Sequence, residues 1–243
     1  MQCSNTTPHH RKKQIVKLLV LGSTGATGRL LTALAVGRGH DVRTLVRDGS
    51  RADLVPGTEV VEGDARSRED VTAALAGVDA TASTLGMGLK TRPNGLLIDA
   101  VDALIAGAAI TGSDRLIMLS SWGVGDTLRR SSLLVRLTYM PGKKVHDEKA
   151  EAEAALRTSG LNWTLVYPVA LTNGEATGRV RARDLDDVAR MPGSPSISRA
   201  DVAASMITII EDDLWSRRTV VLDQQPRRRT DGDGPGDSPS PSR

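Results

Sequence analysis

Three glycines near the N-terminus, Gly22, Gly25 and Gly28, have the spacing GxxGxxG, which is typical of a loop that binds phosphate groups. The motif follows an apolar stretch that predicts a buried strand, and it precedes a stretch with helical periodicity. In this context Gly22 permits a tight turn, Gly25 lets the backbone approach a pyrophosphate, and Gly28 lets the helix pack closely on the sheet. Amides of the first helical turn and the helix dipole would face the phosphates. The motif therefore predicts a dinucleotide-binding loop, made of Gly22, Thr24, Gly25, Ala26, Thr27 and Gly28.

The residues after the second predicted strand indicate which dinucleotide the loop holds. NAD-selective sites usually have an Asp or Glu at this position, which binds the ribose 2′-hydroxyl. Here Arg47 ends the strand, and a turn that contains Asp48, Ser50 and Arg51 follows. Two guanidinium groups on either side of a turn suit a 2′-phosphate, because arginine binds phosphate through paired hydrogen bonds. We therefore predict a preference for NADP(H), with Arg47, Ser50 and Arg51 as ligands, while Asp48 leaves NAD(H) possible.

Polar and small residues also follow the third and fourth predicted strands. Asp64 and Ala65 end the third strand, where a carboxylate can accept a hydrogen bond from an adenine amino group and a backbone amide can face the ring. Thr84, Leu85 and Gly86 end the fourth strand. Because ligands in open parallel sheets bind at the carboxyl ends of the strands, we expect these residues to border the cofactor.

The rest of the chain alternates between strand-like and helix-like stretches. The predicted strands are 15–22, 41–47, 59–63, 79–85, 115–121, 162–167 and 219–222. The predicted helices are 26–38, 67–76, 95–108, 143–158 and 198–211. Such alternation indicates a parallel sheet with right-handed crossovers. We therefore predict an α/β fold, a Rossmann-type doubly wound parallel sheet flanked by helices, in a single domain.

Composition and charge restrict the domain organisation and the class of partner. Residues 1–13 and 226–243 lack periodicity, so we expect disordered tails around an NAD(P)-binding domain at 14–225. The basic residues behind the net charge of +3 lie mainly in these tails. This argues against nucleic acid as a partner, because the body has no basic stripe. A single cysteine and the lack of a long apolar stretch argue against disulfides and a membrane span. We expect a cytoplasmic protein, a monomer or a homodimer, with a small-molecule substrate and no metal site.

Five segments together resemble the atypical short-chain dehydrogenase/reductase superfamily. Within it they are similar to the NmrA-like NAD(P)H-binding group, to which biliverdin reductase B, a flavin reductase, belongs. The segments are LVLGSTGATGR at 19–29, LVRDGSR at 45–51, VVEGDARSREDV at 60–71, RLIMLSSWG at 115–123 and EAALRTSGLNWTLVYP at 153–168. The resemblance implies that Ser120 and Ser121 lie beside the nicotinamide and that Lys149 binds its ribose. It also implies that Pro168 and Val169 contact the carboxamide.

The sequence departs from the family pattern at the proton donor. Typical members have a tyrosine four residues before the lysine, and Val145 stands at that position here. Tyr139 precedes Lys143 by four residues, but Pro141 and Gly142 lie between them and disfavour a helix. A histidine one helical turn from the lysine could serve as an acid near neutral pH. The candidate catalytic residues are therefore Ser121, Tyr139, His146 and Lys149.

Residues 122–142 and 169–197 are expected to form the wall of the substrate pocket, and they do not identify the substrate. The complete cofactor half, with Ser121 and Lys149, favours an NADP(H)-dependent reductase that transfers hydride to a small conjugated or carbonyl compound. Two alternatives stay open. A non-catalytic NADP(H)-binding redox sensor would explain the missing tyrosine, and a redox-neutral epimerase or isomerase would use the bound cofactor without net consumption.

Overall fold

The main sheet has eight strands within the residues that the structure, a computed structural model, describes: 15–50, 53–86, 94–133, 135–136 and 143–225. The strands of the chain are β1 (Lys17–Leu21), β2 (Asp41–Val46), β3 (Glu59–Glu62), β4 (Ala80–Ser83), β5 (Arg115–Leu119), β6 (Asn162–Pro168), β7 (Ala170–Thr172), β8 (Val180–Asp184), β9 (Ser196–Ser198) and β10 (Arg218–Gln224). The main sheet has the order β3-β2-β1-β4-β5-β6-β10-β8, and all its neighbours are parallel except β8 with β10. The order reverses between β1 and β4, where such folds bind their ligands.

Helices cover both faces of this sheet. They are α1 (Ala26–Gly37), α2 (Arg68–Leu75), α3 (Leu96–Thr111), α4 (Lys143–Thr158) and α5 (Arg199–Glu211). Short 3-10 helices occur at Gly125–Arg130 and Leu185–Asp187. α1 packs beside α5, and α2, α3 and α4 pack side by side. β1 is buried along almost its whole length, as a strand with helices on both faces must be. The predicted Rossmann-type fold is therefore confirmed.

Two helix starts follow directly from local sequence. The Ser67 hydroxyl accepts a hydrogen bond from the Asp70 amide at the start of α2, as its spacing predicts. The Ser198 hydroxyl accepts from the Asp201 amide at the start of α5. These caps fix where α2 and α5 begin. By contrast, α1 follows the glycine loop and has no side-chain cap.

The segment at 169–197 contains structure that the sequence pattern did not predict. β7 and β9 form a small parallel sheet, and β8 pairs antiparallel with β10 at the edge of the main sheet. Asp223 on β10 fixes this edge strand, because its buried carboxylate forms ion pairs with Arg181 and Arg183. The predicted tails lie outside the described residues. No helix among those described is both long and apolar enough to cross a membrane.

Candidate cofactor and active site

The glycine loop has the geometry that its spacing requires. Gly22 has φ +81°, in the left-handed region that favours glycine. A Cβ on Gly28 would lie 2.1 Å from the Gly22 carbonyl oxygen and 2.6 Å from the Thr84 hydroxyl. That hydroxyl donates to the carbonyl oxygens of Leu21 and Gly22, each at 3.1 Å. The loop is thus held against the end of β4, and there is no room for a side chain at Gly28.

The N-terminus of α1 is open to an anion. Gly25 is the N-cap and supplies no side-chain hydrogen bond, and the first turn contains no acidic residue. The first amides of a helix have no partner within the helix, so the amides of Ala26, Thr27 and Gly28 are available in this turn. The hydroxyl of Ser23, in the loop, is buried and has no hydrogen-bond partner in the part of the chain that the structure describes. An uncapped helix start beside an unpartnered hydroxyl suits the pyrophosphate of a dinucleotide.

A cavity of about 1000 Å³ extends from this loop across the carboxyl ends of β2, β3 and β4. Nine of the predicted cofactor residues line it: Gly22, Thr24, Gly25, Arg47, Asp64, Ala65, Thr84, Leu85 and Gly86. Ser23, Asp53, Arg66, Asn94 and Leu96 also line it, and the sequence did not single them out. The cavity therefore joins the predicted phosphate loop to the predicted nucleoside residues in one continuous site.

The end of the cavity beside β2 carries the residues that would distinguish the two nicotinamide dinucleotides. Arg47 is exposed and, among the described residues, forms no ion pair. Asp48 instead accepts hydrogen bonds from the Ser50 amide at 3.1 Å and the Ser50 hydroxyl at 2.7 Å. Arg51 lies outside the described residues. The Asp48 carboxylate is thus engaged within its own turn, while the Arg47 guanidinium is available to a ligand.

The turn after β3 is ordered by its own hydrogen bonds. The Asp64 amide donates to the Asp70 carboxylate at 2.8 Å, and the Asp64 carboxylate accepts from the Arg66 amide at 3.0 Å. The Arg66 guanidinium donates to the Asn94 carbonyl oxygen at 3.0 Å. It thereby connects this turn to the start of α3. Asp64 and Ala65 are held at the cavity wall, where the sequence predicts the adenine.

Ser121 and Lys149 meet beyond the carboxyl end of β5, the strand that neighbours β4. The Lys149 ammonium donates a hydrogen bond to the Ser121 hydroxyl at 3.2 Å. Burial lowers the pKa of Lys149 below that of a free lysine, and the nearby Glu153 carboxylate partly opposes this shift. The ammonium therefore releases a proton more readily than an exposed lysine does.

His146 and Tyr139 are the other two candidate proton donors. His146 is half-buried, and burial together with the Lys149 charge lowers its pKa, so its imidazole is mostly neutral at pH 7. Tyr139 lies outside the described residues. Val145 occupies α4 at the position where the family pattern has tyrosine.

The Ser120 hydroxyl is part of a buried network behind the Ser121–Lys149 pair. It donates to the Glu153 carboxylate at 2.5 Å, and the Tyr167 hydroxyl donates to the other oxygen of the same carboxylate. Burial raises the pKa of Glu153, although these hydroxyls and the Arg157 and Lys149 charges oppose the rise. Sequence reasoning missed this network. Its one signal was the spacing of Lys149, Glu153 and Arg157, which places them on one face of a helix.

Glu148, the neighbour of Lys149, anchors α4 to the cofactor cavity. Its buried carboxylate accepts hydrogen bonds from the Asn94 amide at 3.0 Å and the Leu97 amide at 3.1 Å. Since Asn94 also lines the cavity, the helix that carries Lys149 is fixed relative to the cavity wall.

Pro168 and Val169 are buried at the carboxyl end of β6. The Trp122 amide donates to the Pro168 carbonyl oxygen at 2.9 Å, and the Val169 amide donates to the Leu222 carbonyl oxygen at 3.1 Å. The segment after β5 is thereby attached to the end of β6.

The sheet order and the glycine loop at its switch point define a dinucleotide-binding protein of the Rossmann type. A family model described as NAD(P)H-binding matches residues 22–213, and the chain belongs to this family. The family includes oxidoreductase-like and epimerase-like proteins, and the match confirms the resemblance to the atypical short-chain dehydrogenases. The description of the family as NAD(P)H-binding supports a nicotinamide cofactor for this protein.

Individual similar proteins are described as an epimerase, a reductase and an oxidoreductase. The chain is 30% identical over 228 residues to YhfK of Bacillus subtilis, described as an uncharacterized sugar epimerase, and the match covers 90% of this chain and 96% of the relative. ChuY of Escherichia coli O157:H7, an anaerobillin reductase, has a similar structure, with a TM-score of 0.71, 25% identity, and coverage of 86% and 97%. The oxidoreductase ylbE of Lactococcus lactis shares the fold at a TM-score of 0.71 and 21% identity, with coverage of 86% and 91%.

Proposed function

We propose that this protein is an NADP(H)-dependent oxidoreductase that acts on a small conjugated or carbonyl compound and lacks the tyrosine typical of its superfamily. A bound nicotinamide would supply or accept a hydride at its C4 atom. The observation that carries the proposal is the hydrogen bond between Lys149 and Ser121, beyond the carboxyl end of β5. The structural likeness to ChuY, a reductase, gives further support.

Ser121 and Lys149 would bind and protonate the substrate oxygen. The Ser121 oxygen accepts from the Lys149 ammonium, which leaves the Ser121 proton to be donated to a carbonyl oxygen. The positive charge next to it stabilises the negative charge that develops on that oxygen. Because burial lowers the pKa of Lys149, a proton can pass from the ammonium through Ser121 to the product. Ser120 serves this site indirectly, since its hydroxyl is engaged with Glu153.

The preference for NADP(H) rests on the charges at the end of β2. Arg47 lines the cavity and is available to a 2′-phosphate, whereas the Asp48 carboxylate is occupied by Ser50. An acidic residue free to bind a ribose 2′-hydroxyl would favour NAD(H) instead.

Consumption of NADPH tests the proposal directly. We expect the purified protein to oxidise NADPH with at least one acceptor from a panel of quinones, flavins and conjugated aldehydes or ketones. Ser121→Ala should lower kcat by about 100-fold or more, because it removes the donor to the substrate oxygen. NADPH binding without oxidation by any member of the panel would contradict the proposal.

A redox-neutral epimerase is the second candidate function. The observation in its favour is the 30% identity to YhfK, a protein described as a sugar epimerase. Such an enzyme would convert its substrate without net loss of NADPH, so the same assay with product detection separates the two functions.

A further inference from the structure

A second pocket, the Trp122 pocket, lies directly after the ends of β5 and β6, and the proposed catalytic residue Ser121 also follows β5. Its volume is about 100 Å³. Trp122 follows Ser121 in the chain, and Val169 follows the end of β6. The lining side chains among the described residues are mainly apolar, and the lining consists of Trp122, Ser131, Val135, Val169, Ala170, Met191, Gly193, Ser194 and Pro195.

The walls of the Trp122 pocket are fixed in place by hydrogen bonds. The indole N–H of Trp122 donates to the Ser131 hydroxyl at 2.6 Å. The Met191 amide donates to the Arg130 carbonyl oxygen at 2.8 Å, and the Ser132 hydroxyl donates to the Gly193 carbonyl oxygen at 2.8 Å. These bonds connect the segment after β5 to the segment before β9, so the pocket is a preformed space between them.

Two polar groups of the lining, the Ser131 hydroxyl and the Gly193 carbonyl oxygen, are already used, and the third, Ser194, is exposed to water. The Ser131 oxygen accepts from Trp122, and its proton is donated to the Thr127 carbonyl oxygen at 3.3 Å. The Gly193 carbonyl oxygen accepts from Ser132. A hydroxyl group that entered the space between Trp122, Val169 and Met191, away from Ser194, would give up its hydrogen bonds to water without matching replacements. The pocket therefore favours an apolar group over a sugar ring.

The volume limits the size of that group. A cavity of about 150 Å³ with apolar walls holds benzene, so about 100 Å³ suits a group of about four carbons, such as an isobutyl group. We propose that the Trp122 pocket receives a short branched aliphatic group of the substrate, whose carbonyl oxygen then lies at Ser121. This substrate class rests on the proposed function, because the position of the carbonyl group is taken from it.

A matched pair of non-reducible ligands tests the pocket without turnover. Isovaleramide carries an isobutyl group, and β-hydroxybutyramide differs from it by a hydroxyl in place of one methyl. With NADP present, we expect isovaleramide to bind at least about tenfold more tightly, as measured by ligand-observed NMR titration. Val135→Phe and Ala170→Leu, which fill the pocket, should each remove this preference. Leu133→Phe should keep it, because Leu133 is 69% exposed and does not line the pocket.

The outcomes separate this inference from the proposed function. Equal binding of the two amides, or a preference that survives in folded Val135→Phe and Ala170→Leu, would overturn the pocket assignment. A conjugated ketone with an isobutyl tail should also have a lower KM than its hydroxylated counterpart. If neither ketone oxidises NADPH while the amide preference holds, the reductase proposal fails and the pocket assignment stands.

Discussion

The two halves of the carboxyl edge of the sheet are built in different ways. The half beside β1 and β2, the open half, is a cavity with an uncapped helix start and an exposed arginine. The amides of α1 and the Arg47 guanidinium are therefore available to a ligand. In the half beside β5 and β6, called the closed half below, the polar groups bind one another in the Ser121–Lys149 pair and the Ser120–Glu153–Tyr167 network. From this difference we expect cofactor affinity to depend on the room at the glycine loop and on the charge of Arg47. We expect catalytic rate to depend on the hydrogen bonds between the groups at Ser121 and Lys149.

The strongest test of the open half is Gly28→Val. A Cβ there meets the Gly22 carbonyl oxygen at 2.1 Å, so the loop must move away from β4. We expect NADPH affinity to fall by at least about 100-fold, which corresponds to about 2.8 kcal/mol. Fluorescence titration with NADPH measures this, with circular dichroism to verify folding.

Gly37→Ala in the same helix is the control, because nothing lies within 4 Å of a Cβ at Gly37. It should leave NADPH binding unchanged. If folded Gly28→Val bound NADPH like the wild type, the loop would not be the phosphate site.

The strongest test of the closed half is Lys149→Met. Loss of the ammonium removes the hydrogen bond to Ser121, and kcat should fall by about 100- to 10,000-fold. Since burial lowers the pKa of Lys149, wild-type kcat should fall as the pH rises through a value below about 10.4, the ordinary pKa of lysine. Steady-state rates across pH measure both effects.

Lys144→Met, at an exposed position of the same helix, is the matched control and should retain activity. A Lys149→Met enzyme with wild-type kcat and pH profile would remove Lys149 from the mechanism.

Arg47→Ala sharpens the assignment of the dinucleotide. The loss of one charged donor to a 2′-phosphate should weaken NADPH binding by about 10- to 100-fold and leave NADH binding unchanged. Arg129→Ala, at a residue whose side chain is 84% exposed in an ion pair with Asp126, should change neither affinity. Equal weakening of NADPH and NADH would show that Arg47 does not read the 2′-phosphate.

Tyr167→Phe probes the buried network. It removes a donor to the Glu153 carboxylate, and the free energy of unfolding should fall by about 1–3 kcal/mol. Urea unfolding measures the change. An unaltered stability would mean that the hydrogen bond contributes nothing.

Glu153→Gln should alter the pH dependence of stability. Because burial raises the pKa of Glu153, the folded state keeps a proton that an unfolded glutamate has released, so stability falls as the pH rises from about 4.3 through the folded pKa. Glu153→Gln should remove this slope, and Glu151→Gln, at an exposed position of α4, should keep it. Identical slopes in wild type and Glu153→Gln, measured by urea unfolding at several pH values, would contradict the raised pKa.

The sequence predicted which segments line the cavity of the open half because their requirements are local. The spacing of Gly22, Gly25 and Gly28 and the position of Arg47 after a strand are readable within single segments. The predicted strands and helices of the main sheet are likewise found, because their apolar patterns have clear periods.

The closed half depends on contacts between distant segments. Ser120 and Glu153 are 33 residues apart, and no pattern in either segment shows that they meet. β7, β8 and β9 are short or at an edge, and their stability comes from partners elsewhere in the chain rather than from their own sequence.

Isotope transfer from NADPH deuterated at nicotinamide C4 tests the central claim most directly. With a conjugated ketone that carries an isobutyl tail, we expect the wild-type protein to place deuterium in the product and to oxidise one NADPH for each product formed, while Lys149→Met forms almost none. Mass spectrometry of the product measures this. A product that forms without deuterium and without net NADPH loss would contradict the account.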